Sequence, residues 1–372
     1  MTGGWAEALR RWRQWCGRAA LSLAFKAWRP SPAAPVRRVL VVEMTRLGDL
    51  VAATALLAPL RRAYPQAQLG LVADAAYAPL FGAAGPDEPA FQGLPRGGWA
   101  FARAAWRLRR GWRDPGLLLV VASPAVRNSL VAWLARPGRA CGYLSPRAGG
   151  LGYDAAAPLQ AVGGGWQAQA EGGAGHLVQR AGAALAVAGF SLEGLAPALT
   201  PTAPRDPRAV LLHAGANWDR RRWPLERFAA VAQALAQRGY RVTLLPAEGG
   251  PLAGPVAGVT VVEGLGLDGL KALLSEASLY IGNDSGPLHL AAALGTPCLA
   301  LFGPNLPARS GPWPLPGSAG SPHAVLEEDA PCRPCDQRVC VQPWDWCLGR
   351  LGVERVLAAA LRRLDAPSAG GA

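Results

Sequence analysis

Three short stretches of this 372-residue chain combine ionisable side chains with the small residues that let a backbone approach a ligand. The first is Thr45-Arg46-Leu47-Gly48-Asp49. Gly48 permits close backbone approach, the helix start that follows offers unpaired N–H donors, and Asp49 falls in or beside the first helical turn. A carboxylate there is able to take a proton from an attacking hydroxyl, although aspartate is also a favoured helix cap. The second stretch runs His213-Ala214-Gly215-Ala216-Asn217 and then Arg220, Arg221, Arg222, Trp223 and Pro224. Guanidinium groups bind phosphate oxygens two at a time, so this run is either a diphosphate clamp or a solvated arginine cluster. The third is Gly282-Asn283-Asp284-Ser285-Gly286-Pro287-Leu288-His289. Asp284 or Ser285 is expected to cap a helix with Pro287 in its first turn, leaving the N–H groups of Ser285 and Gly286 facing outward as an anion site, with His289 one turn away from Ser285.

These residues need a frame, and hydrophobic periodicity supplies one. Residues 38–43 read as a buried strand, 44–48 as a tight loop, 49–64 as a helix ended by Pro65, and 69–73 as the next strand. The alternation continues with a strand at 117–122 and helices at 126–134 and 176–188. Residues 82–115 and 144–172, rich in Gly, Pro and Trp, carry no assignment. After a proline-rich stretch at 197–207, strands are expected at 209–213, 240–245, 259–263, 279–282 and 298–302, with helices at 224–238, 267–275 and 286–294. Such alternation specifies parallel α/β sheets, whose ligands bind at the carboxyl ends of the strands, where all three stretches fall. The expected organisation is a basic N-terminal segment (1–35), two Rossmann-like domains (36–196 and 209–352) joined by a linker (197–208), and a C-terminal helix with its tail (353–372).

Composition fits this frame. At roughly 150 residues per domain, the length suggests two domains, and 51% hydrophobic residues suffice for real cores. Lys+Arg 38 against Asp+Glu 25 leaves a net charge of +13, which favours an acidic partner: nucleic acid, an anionic membrane or a phosphorylated substrate. No uninterrupted apolar run reaches transmembrane length. Near the N-terminus Trp5, Leu9, Trp12, Trp15, Ala19 and Leu23 recur at helical spacing beside Arg10, Arg11, Arg13 and Arg18, as in a helix lying in a membrane interface. No cleavage site follows its short apolar core, so a signal peptide is a poor fit and the cytoplasm is the default compartment. Cys332, Cys335, Cys340 and Cys347 are spaced C-x2-C-x4-C-x6-C, a candidate structural metal cluster or a set of reduced thiols. Gly264, Gly266 and Gly269 spell G-x-G-x-x-G. With glycine at 46 of 372 positions, roughly 0.7 such matches arise by chance, so the motif says little for a dinucleotide site.

Taken in order, residues 36–65, 213–228 and 277–313 resemble glycosyltransferase family 9, the lipopolysaccharide heptosyltransferases, and the likeness extends through the cysteine segment to about residue 363. The resemblance implies a GT-B fold, two Rossmann-like domains facing a central cleft, with the acceptor on the N-terminal half and an ADP-sugar on the C-terminal half. It makes Asp49 the catalytic base, with Arg46 and Gly48 in the acceptor loop. Arg221, where the family usually has lysine, would neutralise the donor diphosphate. Asp284, Ser285, Gly286 and His289 would line the sugar-diphosphate site with Asn217, and Glu248 lies roughly where a ribose-binding acid occurs. The implied reaction is an inverting transfer of a heptose, or a related sugar, to a hydroxyl of the lipopolysaccharide inner core. No cofactor is expected, and no D-x-D pair occurs in the matched loops, in keeping with metal independence. The implied partners are the nucleotide-sugar donor, the core/lipid A acceptor and the cytoplasmic membrane surface, with peripheral attachment and no nucleic acid. Departures from the family pattern at residues 43–46 bear on the acceptor. The competing readings are a family 9 transferase of another sugar or acceptor, an NAD-dependent oxidoreductase, and a basic protein binding membranes or nucleic acid.

Overall fold

The computed structural model describes residues 35–82, 89–135, 137–143, 153, 155–157, 159–162, 165–168, 175–247, 252, 254–333, 335, 340 and 347–365. The expected N-terminal tryptophan helix and Glu248 lie outside them. The chain divides into two compact units, one of residues 1–45 and 52–195, the other of residues 46–51 and 196–372.

The first unit is built on strand β1 (Arg38–Val42), whose last four residues are buried. Helix α1 (Leu47–Thr54), whose residues 47–51 group with the second unit, follows in the chain, then α2 (Leu57–Ala63), β2 (Gln68–Asp74) and β3 (Ala90–Leu94). Next come α3 (Gly98–Gly111), β4 (Leu117–Val121), α4 (Val126–Ala135), β5 (Arg139–Tyr143) and β6 (Ala155–Ala157). A hairpin of β7 (Leu159–Val162) and β8 (Gly165–Ala168) precedes α5 (Leu177–Val187). The six-stranded parallel sheet has the order β3-β2-β1-β4-β5-β6, with the switch in strand order beside β1. Buried strands such as β4, Leu-Leu-Leu-Val-Val, read as continuous apolar runs because both faces of the sheet are covered.

The helix expected over 49–64 is two helices, because Pro59 has no N–H to bond the Ala55 carbonyl and its ring crowds that group. The chain passes the break through tighter bonds, Ala55 N–H to the Ala52 carbonyl and Leu56 N–H to the Ala53 carbonyl. Residues 82–115, left unassigned, contain β3 and the fourteen-residue α3. That helix buries only Ala105 and Leu108, and Trp112 beyond its end fills the space over Gly70, so its apolar signal is thin.

The second unit repeats the design with β9 (Asp206–His213), α6 (Leu225–Ala236), β10 (Arg241–Leu245), β11 (Val259–Val261) and α7 (Leu267–Glu276). It continues with β12 (Ala277–Asn283), α8 (Gly286–Ala293), β13 (Cys298–Phe302), the short α9 (Pro307–Ser310), β14 (Ala324–Glu327) and α10 (Val353–Leu364). Its parallel sheet has the order β11-β10-β9-β12-β13-β14. Strand β9 begins at Asp206, within the stretch expected as linker, because Asp206 pairs with Ala277. The core gathers Trp223, Phe228, Val231 and Leu235 on β9, β10 and β12, and Val356 and Ala360 bring α10 onto it. Trp223 anchors this cluster, its ring edge-on to Phe228 and its indole N–H donating to the Leu351 carbonyl at 2.9 Å. Among the described residues no helix is long and apolar enough to cross a membrane.

Two histidines of this unit are held neutral. Burial pushes His213 and His323 down from 6.5 to about 4, against a contact between His323 and the Trp313 carbonyl that pulls the other way. The unfolded chain therefore binds protons between these values that the folded chain refuses, and stability falls as the pH drops through this window. We expect the melting temperature to decline from pH 6.5 toward 4, and His213→Gln and His323→Gln each to flatten that decline. An unchanged slope in both variants would remove the histidines as its cause.

Candidate active site

The C-terminal ends of β9, β12 and β13 converge in the second unit, and short-range pairing explains how. Asn283, the last residue of β12, is fully buried and links two neighbours. Its Oδ1 accepts from the Trp223 N–H at 3.0 Å and its Nδ2 donates to the Ala214 carbonyl at 2.8 Å. The loop after β9 and the arginine run are thus fixed to the end of β12 by a single side chain.

Asp284 does not cap a helix, contrary to one of the expectations above. Ser285 holds the N-cap position of α8 but makes no side-chain cap bond. The Asp284 carboxylate is buried and takes three partners: an Arg221 guanidinium nitrogen at 3.0 Å from Oδ2, Asn305 Nδ2 at 3.0 Å from Oδ2, and the Ser310 hydroxyl at 3.2 Å from Oδ1. Asn305 Nδ2 also donates to Ser310 Oγ at 2.6 Å. A carboxylate withdrawn from water needs several donors to recover its hydration, and these supply them. Arg221 keeps 21% of its side chain exposed, so the pair is sealed on the acid side and open on the basic side. Arg222 turns away, donating to the Ala216 carbonyl at 2.9 Å and pairing with Asp219 at 2.9 Å. Asn217 lies exposed at the tip of the loop after β9.

Residues 46–51 belong to this same unit and bring the first motif to the third. A Cβ added to Gly48 would stand 2.8 Å from His289 Cδ2, and one added to Gly286 would stand 3.1 Å from Leu47 Cβ. A side chain at Gly48 would therefore force His289 to shift, and one at Gly286 would crowd Leu47. Asp49 lies in the first turn of α1, half-buried, and Arg46 is exposed. His289 is enclosed; burial lowers its pKa, the carboxylates of Asp284 and Asp49 pull it upward, and Arg221 adds to the lowering. Thus Gly48, Asp49, Arg221, Asp284, Gly286 and His289 share one locality, with Ser285 at the N-cap of α8.

The loop carrying Asn305 is braced from behind. Arg333 donates to the Asn305 carbonyl at 2.7 Å and to the Glu328 carbonyl at 2.9 Å, and the Cys335 N–H donates to the Pro304 carbonyl at 3.3 Å. Cys332, Cys335, Cys340 and Cys347 are free thiols, and among the described residues no group of three His, Cys, Asp or Glu side chains is placed to hold a metal ion. The glycine triplet at 264–269 follows β11, an edge strand, with Gly266 capping α7. A dinucleotide fingerprint would follow the first strand of the unit, which is β9. Asn283, Asn305 and Ser310 are site residues that the sequence motifs do not single out. Asn283 and Asn305 carry the available signal, the first an amide ending a strand and the second an amide directly after a Gly-Pro turn.

Two parallel-sheet α/β units with a polar constellation at the strand ends define the GT-B class of fold. Solved structures agree. A glycosyltransferase family 9 structure from Veillonella parvula is 20% identical, with TM-score 0.67, covering 90% of this chain and 99% of that one. The E. coli heptosyltransferase WaaC with ADP is 18% identical, with TM-score 0.63, covering 88% of this chain and 99% of that one. Residues 183–343 match the family model of glycosyltransferase family 9 (heptosyltransferase). The lipopolysaccharide heptosyltransferase 1 of Pseudomonas aeruginosa is 32% identical over 184 residues, 44% of this chain and 50% of that protein. The chain spans half or less of the length of the first curated relatives it matches.

The Arg221–Asp284 pair yields a coupling that a double-mutant cycle in urea can read. Arg221→Ala and Asp284→Ala should each cost about 3 kcal/mol, because each leaves a charge in a partly buried setting. The double variant should cost less than their sum by about 1 kcal/mol or more. Strictly additive costs would show that the two side chains do not share their stabilisation.

Proposed function

We propose that this chain is an inverting glycosyltransferase that moves a heptose, or a closely related sugar, from an ADP-sugar to a hydroxyl of the lipopolysaccharide inner core. The observation that carries the proposal is the approach of Gly48 to His289, which brings the Asp49 carboxylate into the same locality as the Arg221–Asp284 pair. A base and a phosphate-binding cation held together are what a single displacement at an anomeric carbon requires. The family match and the heptosyltransferase relatives support the sugar class, and the WaaC structure with ADP supports the nucleotide.

In the proposed reaction Asp49 takes the proton of the acceptor hydroxyl as its oxygen bonds to the anomeric carbon. The carbon–oxygen bond to the diphosphate breaks on the opposite face, and ADP leaves with the electron pair. Arg221 and the N–H groups at the start of α8 receive the charge that develops on the leaving diphosphate. Asp284 takes no part in proton transfer. It aims Arg221, and Asn305 and Ser310 hold Asp284. His289 lies under Gly48 with its proton affinity lowered, so it serves as a neutral hydrogen-bonding group. The acceptor is a phosphorylated glycolipid, and the reaction takes place at the cytoplasmic membrane surface with the chain attached peripherally.

Asp49→Asn should lower transfer from ADP-heptose to a core acceptor by about 10²–10⁴-fold, the range for loss of a general base, while the thermal shift produced by ADP persists. Full residual turnover would eliminate Asp49 as the base. A shift with NAD and none with ADP would overturn the transferase assignment in favour of an oxidoreductase.

A further inference from the structure

Helix α3 of the first unit carries a surface that the site chemistry does not use. Its inner face is anchored by buried Ala105 and Leu108, and Trp112 follows as its C-cap, covered by Arg38 at 5.8 Å from the ring centroid. Its outer face leaves Trp99 at 85% and Trp106 at 56% exposure, the two most exposed of the large hydrophobic side chains among the described residues. They stand seven residues apart, two helical turns, and so share one face. Arg103, Arg107 and Arg110 are exposed on that face, and the Arg110 guanidinium lies 4.6 Å from the centre of the Trp106 ring. Residues 96–113 hold six arginines and no acidic residue. Arg96 is paired with Asp74 at the base of the helix.

Holding two indoles in water exposes apolar surface with no internal return. Burying them at the level of lipid headgroups recovers that surface, while flanking arginines meet anionic phosphates at about 1 kcal/mol each. A nucleic-acid surface would use the same arginines, but it offers no apolar layer for two indoles spaced along a helix. We propose that the Trp99/Trp106–arginine face of α3 is a docking surface for an anionic lipid bilayer. This surface deepens the peripheral attachment proposed above and rests on that reading of a lipid-borne acceptor. The docking is non-covalent, with the indoles entering the headgroup region and the arginines pairing with lipid phosphates.

The full chain is to be co-sedimented with phosphatidylcholine vesicles, with vesicles containing phosphatidylglycerol, and with single-stranded DNA as a competing polyanion. Wild type should bind the phosphatidylglycerol vesicles, with weaker binding to the neutral ones. Trp99→Ala/Trp106→Ala and Arg103→Gln/Arg107→Gln should each weaken that binding by about tenfold or more. Both variants should keep wild-type transfer to a delipidated, water-soluble core acceptor, which separates failure of the surface from failure of the transferase assignment. Vesicle binding unchanged in both variants would overturn the surface, because attachment would then reside elsewhere in the chain. Loss of DNA binding in the arginine variant, with no vesicle binding by wild type, would overturn it in favour of a nucleic-acid surface.

Discussion

The second unit is organised around one nearly buried carboxylate. Asp284 is 3% exposed, and an ion pair with Arg221 alone would not repay its dehydration. Asn305 and Ser310 complete its hydrogen bonding, and this requirement ties together three segments: the turn after β9, the junction of β12 with α8, and the loop after β13. Asn283 makes the parallel link through Trp223 and Ala214, one residue earlier. The result is a guanidinium group whose position is set by the core while part of it faces solvent. An arginine so held is preorganised in a way that a flexible surface arginine is not, which is what the proposed diphosphate-binding role requires. Arg222, its neighbour, shows the contrast, spending its hydrogen bonds on Ala216 and Asp219.

The frame was largely legible in the sequence, for a physical reason. Strands such as Cys298–Phe302 are covered on both faces, so they appear as short unbroken apolar runs, and helices such as α6 and α10 carry a clear apolar stripe. Where burial is thin, legibility fails. Helix α3 presents only Ala105 and Leu108 to the core, and its six-arginine neighbourhood resembles a loop by composition. Pro59 is a local signal that the helix over 49–64 breaks, but the apolar spacing continues past it and masks the break.

The site was legible in its residue types but not in its wiring. Asp284 reads as a candidate cap, alongside Ser285, because aspartate and serine are both favoured at helix starts. Its actual partners sit 21 and 26 residues downstream and in a separate loop upstream, and no periodicity records such tertiary bonds. The approach of Gly48 to His289 is likewise invisible locally, although a glycine at each helix start was the trace it left. The cysteine segment, conspicuous by its spacing, makes its clearest described contribution through backbone: the Cys335 N–H and the adjacent Arg333 brace the loop that carries Asn305. The charge of +13 is also unevenly used, with Arg221 drawn into the site and the α3 arginines left on a surface of their own.

The proposed base at Asp49, working beside a cation fixed by Asp284, would commit the proposed transfer to one stereochemical course. The most direct measurement is the anomeric configuration of the glycoside formed from ADP-heptose and a core acceptor, read by NMR together with the ADP released. A base at Asp49 should give a product inverted relative to the donor, with one ADP per glycoside. Retention of configuration, or ADP release with no glycoside formed, would contradict it.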